Sequence, residues 1–160
     1  MKKRIPLNRR IPAFLFLFTG LFFIFSTPIS SHSIEKIGLE RGLSCDYIQD
    51  ITQDKEGFLW FATEWGLNRF DGSHFKIYKA HPVETNTISS NGLNKILADT
   101  LHNIIWIATQ RSGLNAFDCT TQTFIHYPVS TEQPNGTGAN GITDLCMAED
   151  GNLWIGTYNN

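Results

Sequence analysis

Phe58-Leu59-Trp60-Phe61-Ala62-Thr63 returns as Ile104-Ile105-Trp106-Ile107-Ala108-Thr109 and again as Asn152-Leu153-Trp154-Ile155-Gly156-Thr157. The tryptophans stand 46 and 48 residues apart, and the copies extend on both sides of them. Upstream, Ile48-x-x-Ile51, Leu93-x-x-Ile96 and Ile142-x-x-Leu145 precede turn-like stretches: Asp54 to Gly57, Asp99 to Asn103 with one extra residue, and Glu149 to Gly151. Downstream, Gly66-Leu67-Asn68-Arg69-Phe70-Asp71 matches Gly113-Leu114-Asn115-Ala116-Phe117-Asp118, and Phe75 to Tyr78 matches Phe124 to Tyr127. Each full copy thus holds four short strand-like runs separated by Gly, Asp and Asn, the punctuation of hairpins. A unit of about 40 to 50 residues carrying four strands is a β-propeller blade. The sequence therefore predicts an all-β chain, an incomplete β-propeller. Its expected parts are a leading strand over 34–41, blade 1 over 42–87, blade 2 with its linker over 88–141, and a partial blade 3 over 142–160. A sandwich also uses short strands, but it gives no reason for Trp to return at one place in a fixed frame.

What precedes the repeats reads as an export signal over residues 1–33. Lys2, Lys3, Arg4, Arg9 and Arg10 form a basic front, Ala13 to Phe25 an apolar core, and Ser31-His32-Ser33 a small-residue cleavage site. That core is shorter than the roughly 18 residues of a membrane span, so cleavage is expected over retention as an anchor. Without the signal, 8 Lys/Arg face 15 Asp/Glu, a formal charge of −7. Such a segment is not expected to bind nucleic acid.

Repetition points to structure. Trp60, Trp106 and Trp154 are expected to fill the gaps between neighbouring blades, since ligand stacking would rarely require the same residue in every copy. Thr63, Thr109 and Thr157, which close each Trp strand, and Asp71 and Asp118, which follow the third strands, suit turns and hydrogen bonds. Cys45, Cys119 and Cys146 show no metal or redox spacing and read as small, semi-buried residues, although an exported location permits a disulfide. His74, His81, His102 and His126 fall at unrelated repeat positions. Asp144, Glu149 and Asp150 lack any calcium-loop spacing, so neither a metal nor a cofactor is expected. Asn135-Gly136-Thr137 fits a glycosylation pattern but reads better as a turn.

The pattern D-x-x-G-x-L-W-[IF]-[GA]-T followed by G-L-N-x-[FY]-D resembles the two-component regulator propeller repeat, found in sensor regions of bacterial hybrid two-component systems, especially those of gut Bacteroidetes. Gln53 to Gly72 carries it best, and Gly42-Leu43-Ser44 and Ile88 to Gly92 resemble the way such regions begin and link blades. The resemblance implies a sensor ectodomain. Members of the family carry two seven-bladed propellers, an immunoglobulin-like domain, a transmembrane helix and a cytoplasmic histidine kinase. They sense oligosaccharides in the periplasm, work as homodimers and are anchored in the inner membrane. On that reading the chain is the N-terminal part of a sensor whose remaining blades and kinase lie outside it, and it is not itself an enzyme.

Departures from repetition point to recognition. In an antiparallel blade the second-to-third turn and the blade-to-blade link share one end, which gathers Glu64-Trp65, Gln110-Arg111-Ser112, Tyr158 to Asn160, and the links Ala80–Asn91 and Pro128–Gly141. Varied loops on a repeated frame are where binding is usually placed. Trp65 is the only Trp outside the repeated position, and its ring suits the C–H face of a sugar. Glu64, Arg111 and Tyr158 occupy related positions, so these four are the candidate ligand-binding residues for an oligosaccharide.

Two rival classes stand beside the sensor: a propeller glycosidase or lyase, and a structural interaction propeller. The sialidase-type box S-x-D-x-G-x-T-W is not matched by Thr52 to Trp60, and no paired carboxylates recur at one place. Seven blades at this period need roughly 330 residues. Two and a half blades are therefore expected to be marginally stable and prone to aggregate through unpaired edges.

Overall fold

Short apolar runs and tight turns give three antiparallel sheets in a computed structural model that describes residues 34–127 and 141–157. The expected export signal, the link over 128–140 and the last three residues lie outside them. The first sheet is β1 (Ile48–Gln53), β2 (Leu59–Thr63), β3 (Gly66–Phe70) and β4 (Phe75–Tyr78). The second is β5 (Leu93–Asp99), β6 (Ile104–Thr109), β7 (Leu114–Asp118) and β8 (Thr123–Tyr127). β9 (Ile142–Met147) and β10 (Leu153–Thr157) form the third. Within each sheet the strands lie side by side in chain order, as a propeller blade requires. No helix among the described residues is long and apolar enough to cross a membrane.

The expected leading strand has no partner among the described residues. Residues 34–37 carry no strand, and Leu39–Arg41 make a single 3-10 turn. A strand exists only through ladder hydrogen bonds, and no described strand lies beside this segment to supply them. Ile37 instead packs with Leu43 and Phe75 over Phe61 and Phe70, covering the outer face of blade 1.

Blade-to-blade packing follows from strand alternation. Trp60 and Ala62 project from β2 onto Ile105, Ile107 and Phe117 of blade 2, in one buried cluster that also takes in Leu93 and Ile96. One blade further, Trp106 and Ala108 meet Ile142, Leu145, Leu153 and Ile155 of blade 3. Trp154, on the same face of β10, is 67% exposed. No described strand lies against its face.

The same irregularity recurs in every blade. Register slips by one residue between Ile48 and Asp50, between Leu93 and Lys95, and opposite Gly156-Thr157 in β9–β10. Each bulge leaves one residue unpaired and bends the first strand. Its repetition at one place in three blades makes it part of the fold's curvature rather than a local defect.

The turns are held by aspartates. Asp71 Oδ1 accepts the backbone N–H groups of Ser73 and His74, and Asp118 Oδ1 those of Thr120 and Thr121. These bonds hold both carboxyls below the usual value of 3.8, with the N–H of His74 and that of Thr121 contributing most. Asp150 is lowered in the same way by the N–H of Asn152. At Asp99 burial opposes ionisation, yet the N–H and ring of His102 and the N–H of Leu101 still hold the pKa down. A depressed folded-state pKa means that the folded chain binds fewer protons than the unfolded one. The resulting stability is complete above the unfolded value and drains away as pH falls through the folded values. The midpoint of thermal unfolding is therefore expected to drop on acidification below about pH 4. Asp71→Asn and Asp118→Asn together should flatten that drop in a melting series from pH 7 to 3; an unchanged slope would remove the turns as its source.

Candidate functional site

The end of the propeller that carries the β2–β3 and β6–β7 turns is built from a short hydrogen-bonded relay. Thr63 Oγ1 donates to the carbonyl of Gly66 at 2.8 Å and accepts the N–H of Trp65 at 3.0 Å. Thr109 Oγ1 repeats this with the carbonyl of Gly113 and the N–H of Ser112. Both threonines are fully buried, so each hydroxyl replaces water at a turn that would otherwise leave backbone groups unpaired. Gly66 sits at φ +125°, and a Cβ there would lie 2.7 Å from the carbonyl oxygen of Tyr78. Only glycine fits, and Glu64 and Trp65 are thereby pushed out at the tip.

Two asparagines bind this end to the segments leading into each blade. Asn68 Oδ1 accepts the N–H of Ser44, and its Nδ2 donates to Ser44 Oγ at 2.8 Å. Asn115 makes the same pair with Ser89 at 2.9 and 2.8 Å. Sequence reasoning gave these residues no role, although Asn repeats in Gly-Leu-Asn and Ser precedes the first strand by four residues in both copies. The links continue through backbone: Gly66 donates to the carbonyl of Asn91 and Gln110 to that of Gly92, both at 2.9 Å.

Among the candidate residues, Glu64 and Arg111 are exposed and Trp65 is 62% exposed. Their turns lie on one end with the Ser89–Gly92 segment; Tyr158 falls outside the described residues. The β6–β7 turn is one residue longer than the β2–β3 turn, so Arg111 has no exact counterpart in blade 1. Thr157 is half-buried at the end of β10.

At the opposite end the two full blades differ. Asp54 accepts the N–H groups of Glu56 and Phe58 on Oδ1 and the indole N–H of Trp60 at 2.7 Å on Oδ2. In blade 2 the extra residue moves Trp106 out of reach, and Asp99 Oδ2 takes His102 Nδ1 at 2.8 Å instead. Trp106 Nε1 is buried without a partner among the described residues. Blade 3 has Ala148 at the Asp54 position and offers no carboxylate there.

The first strands converge and carry alternating charge. Asp50, Lys95 and Asp144, each just past its bulge, lie opposite Ala62, Ala108 and Gly156. Lys95 Nζ stands 3.5 Å from Asp50 and 3.8 Å from Asp144, and the N–H of Ile96 donates to Asp50 Oδ2. Each blade is thus joined to the next by charge as well as by packing. No group of three His, Cys, Asp or Glu among the described residues is arranged to hold a metal ion. The three cysteines are unpaired; burial pushes the Cys119 thiol up to about 11, while Cys146 is exposed rather than semi-buried. A thiol raised in this way is not a nucleophile.

Residues 42–65 and 136–159 match the family model described as the two component regulator propeller. A 48-residue stretch is 52% identical to histidine kinase P4 of Formosa agariphila, covering 30% of this chain and 4% of that protein. The fold matches the crystal structure of the extracellular domain of BT3049 from B. thetaiotaomicron, described as a hybrid two component system. The TM-score is 0.70 and the identity 43%, over 76% of this chain and 17% of that one. The extracellular domain of BT4673 from the same organism matches with a TM-score of 0.60 and 27% identity, over 74% of this chain and 17% of that one. Repeat, blade topology and these likenesses together define a β-propeller segment. The chain is similar to these extracellular domains and spans about a sixth of their length.

Proposed function

We propose that this chain is the N-terminal part of a periplasmic, ligand-sensing propeller that detects oligosaccharides and signals to a histidine kinase outside the chain. The observation that carries the reading is the exposed indole of Trp65, on a turn whose backbone is held by the buried Thr63, at the end where the variable turns and the blade-to-blade link meet. An exposed aromatic ring beside polar loops is the arrangement that stacks on a sugar while offering groups to its hydroxyls. Glu64 and Arg111 supply those polar groups. The uncovered face around Trp154 receives a further blade of the parent protein, since the equivalent faces around Trp60 and Trp106 are covered by the blade that follows. The basic and apolar N-terminal sequence directs export, the parent sensor is anchored in the inner membrane, and it works as a homodimer.

Trp65 provides the test. Titrating plant, host and microbial glycans against the parent ectodomain is expected to change its tryptophan fluorescence for at least one oligosaccharide. Trp65→Ala should weaken that binding about tenfold or more, the scale of one lost stacking contact. Equal affinity in the variant would take the site away from Trp65, and silence across the whole panel would count against oligosaccharide sensing itself.

A further inference from the structure

A cleft of about 550 Å³ opens between the β4–β5 link and β8, with Pro82, Glu84, Asn91, His81 and His126 among its lining residues. Its size falls within the roughly 300–1,000 Å³ of small-molecule sites. The link forming one wall is fastened along the outer strand of blade 2. Asn86 Nδ2 donates to the carbonyl of Gln122, Asn86 Oδ1 accepts the N–H of Phe124, and His126 Nε2 donates to the carbonyl of Thr87 at 2.6 Å. Because Thr87 offers only a carbonyl there, His126 carries its proton on Nε2 and keeps Nδ1 as an acceptor when neutral. The wall is therefore set before any ligand arrives, which lowers the cost of ordering it.

The polar groups of the cleft are only partly used. Asn91 Oδ1 accepts the N–H of Ala80 at 2.8 Å, while its Nδ2 has no partner among the described residues. The Glu84 carboxylate has one distant neighbour, His81 Nδ1 at 3.7 Å, and its side chain is 68% exposed. Amide donors, carboxylate and imidazole acceptors and the apolar Pro82 ring together suit a ligand dense in hydroxyls. No Lys or Arg lines the cleft. A phosphate, sulfate or uronate would meet Glu84 without a fixed cation to balance it. His81, Glu84 and His126 do not converge as metal ligands.

We infer that this cleft is a subsite for the end of a neutral oligosaccharide, one or two sugar rings long, and that it discriminates against acidic sugars. The inference rests on the sensing role proposed above and adds to it a second location and a charge preference. Calorimetric titration of the full 160-residue chain with cellobiose, lactose, xylobiose and digalacturonate tests it, with circular dichroism to show that each variant keeps its strands. At least one neutral disaccharide is expected to bind and digalacturonate to be rejected. Glu84→Ala should weaken the neutral sugar about tenfold, the scale of a hydrogen bond to a charged group. Glu84→Arg, at an exposed position that does not threaten folding, should lose the neutral sugar and gain digalacturonate. Neutral binding that ignores both Glu84 variants but is lost in Trp65→Ala would overturn the cleft and leave the sensing role standing. Digalacturonate bound as well as the neutral sugars, or none of the four bound, would also overturn it. The wider glycan panel on Trp65 decides the sensing role separately.

Discussion

Trp60→Ala, Trp106→Ala and Trp154→Ala change the same residue at the same place in the repeat, and their costs are expected to fall steeply along the chain. Trp60 has no exposed surface, stacks at 5.8 Å on Tyr78, meets Phe117 at 5.4 Å and donates its indole N–H to Asp54. Truncating a buried aromatic costs about 3–5 kcal/mol, and Trp60→Ala also leaves the Asp54 oxygen with one partner fewer. The cost should lie at the top of that range, comparable with the whole stability of a small domain. Trp106 is half-buried, meets Tyr127 at 5.9 Å and has no partner for its N–H, so its truncation should cost about half as much. Trp154, largely exposed, should cost less than about 0.5 kcal/mol. Urea unfolding followed by circular dichroism at several protein concentrations measures the series. A Trp154→Ala cost rivalling that of Trp60→Ala would mean that its face is covered in solution by another copy, which the concentration dependence would reveal.

The same series explains what the sequence could and could not disclose. A repeated Trp in an apolar strand announces the blade and the packing direction, because alternation along β2, β6 and β10 dictates which residues face the next sheet. It does not announce how deeply each copy is buried. That depends on whether a neighbour covers it, which separates Trp154 from the other two. Likewise the extra residue between Asp99 and Trp106 was visible as a spacing. Its consequence, an aspartate exchanging an indole for the imidazole of His102, required geometry. The candidate site was half legible. Trp65 stood out because it broke the repeat, and the turn that exposes it could be placed from blade topology. The cleft between the link and β8 had no signature, since its residues are joined by the folding of a stretch with no repeated counterpart. The leading segment is a related case: Ile34 to Ile37 has the composition of a strand, but a strand is a relation between two segments and composition describes only one.

Asn68→Ala is expected to be the second most damaging change at a repeated position, and it bears on function. The Nδ2 of Asn68 donates to Ser44 Oγ. Thr63 Oγ1 spends its proton on the carbonyl of Gly66, so Ser44 Oγ is the donor in its 3.1 Å bond to Thr63. The result is a directed chain from amide to hydroxyl to hydroxyl to carbonyl, in which each bond polarises the next. Removing its head strands the N–H of Ser44 and takes the donor from its hydroxyl oxygen at a half-buried position, and two or so unmade bonds at about 1–1.5 kcal/mol each put the cost near 3 kcal/mol. Ser44→Ala alone should cost less, because Asn68 keeps its weaker bond to Gly66 at 3.3 Å. The double variant should cost little more than Asn68→Ala, giving a coupling of about 1 kcal/mol in a double-mutant cycle. Additive costs would show two independent contacts instead of one chain. Thr63 also accepts the backbone N–H of Trp65, so the chain ends at the turn that carries the exposed indole. Thr63→Val, nearly the same shape without the hydroxyl, should therefore destabilise the fold and also loosen Trp65. At a temperature where the variant stays folded, its Trp65-dependent sugar affinity should fall, whereas Thr109→Val, which makes the equivalent bonds under Ser112, should leave that affinity unchanged.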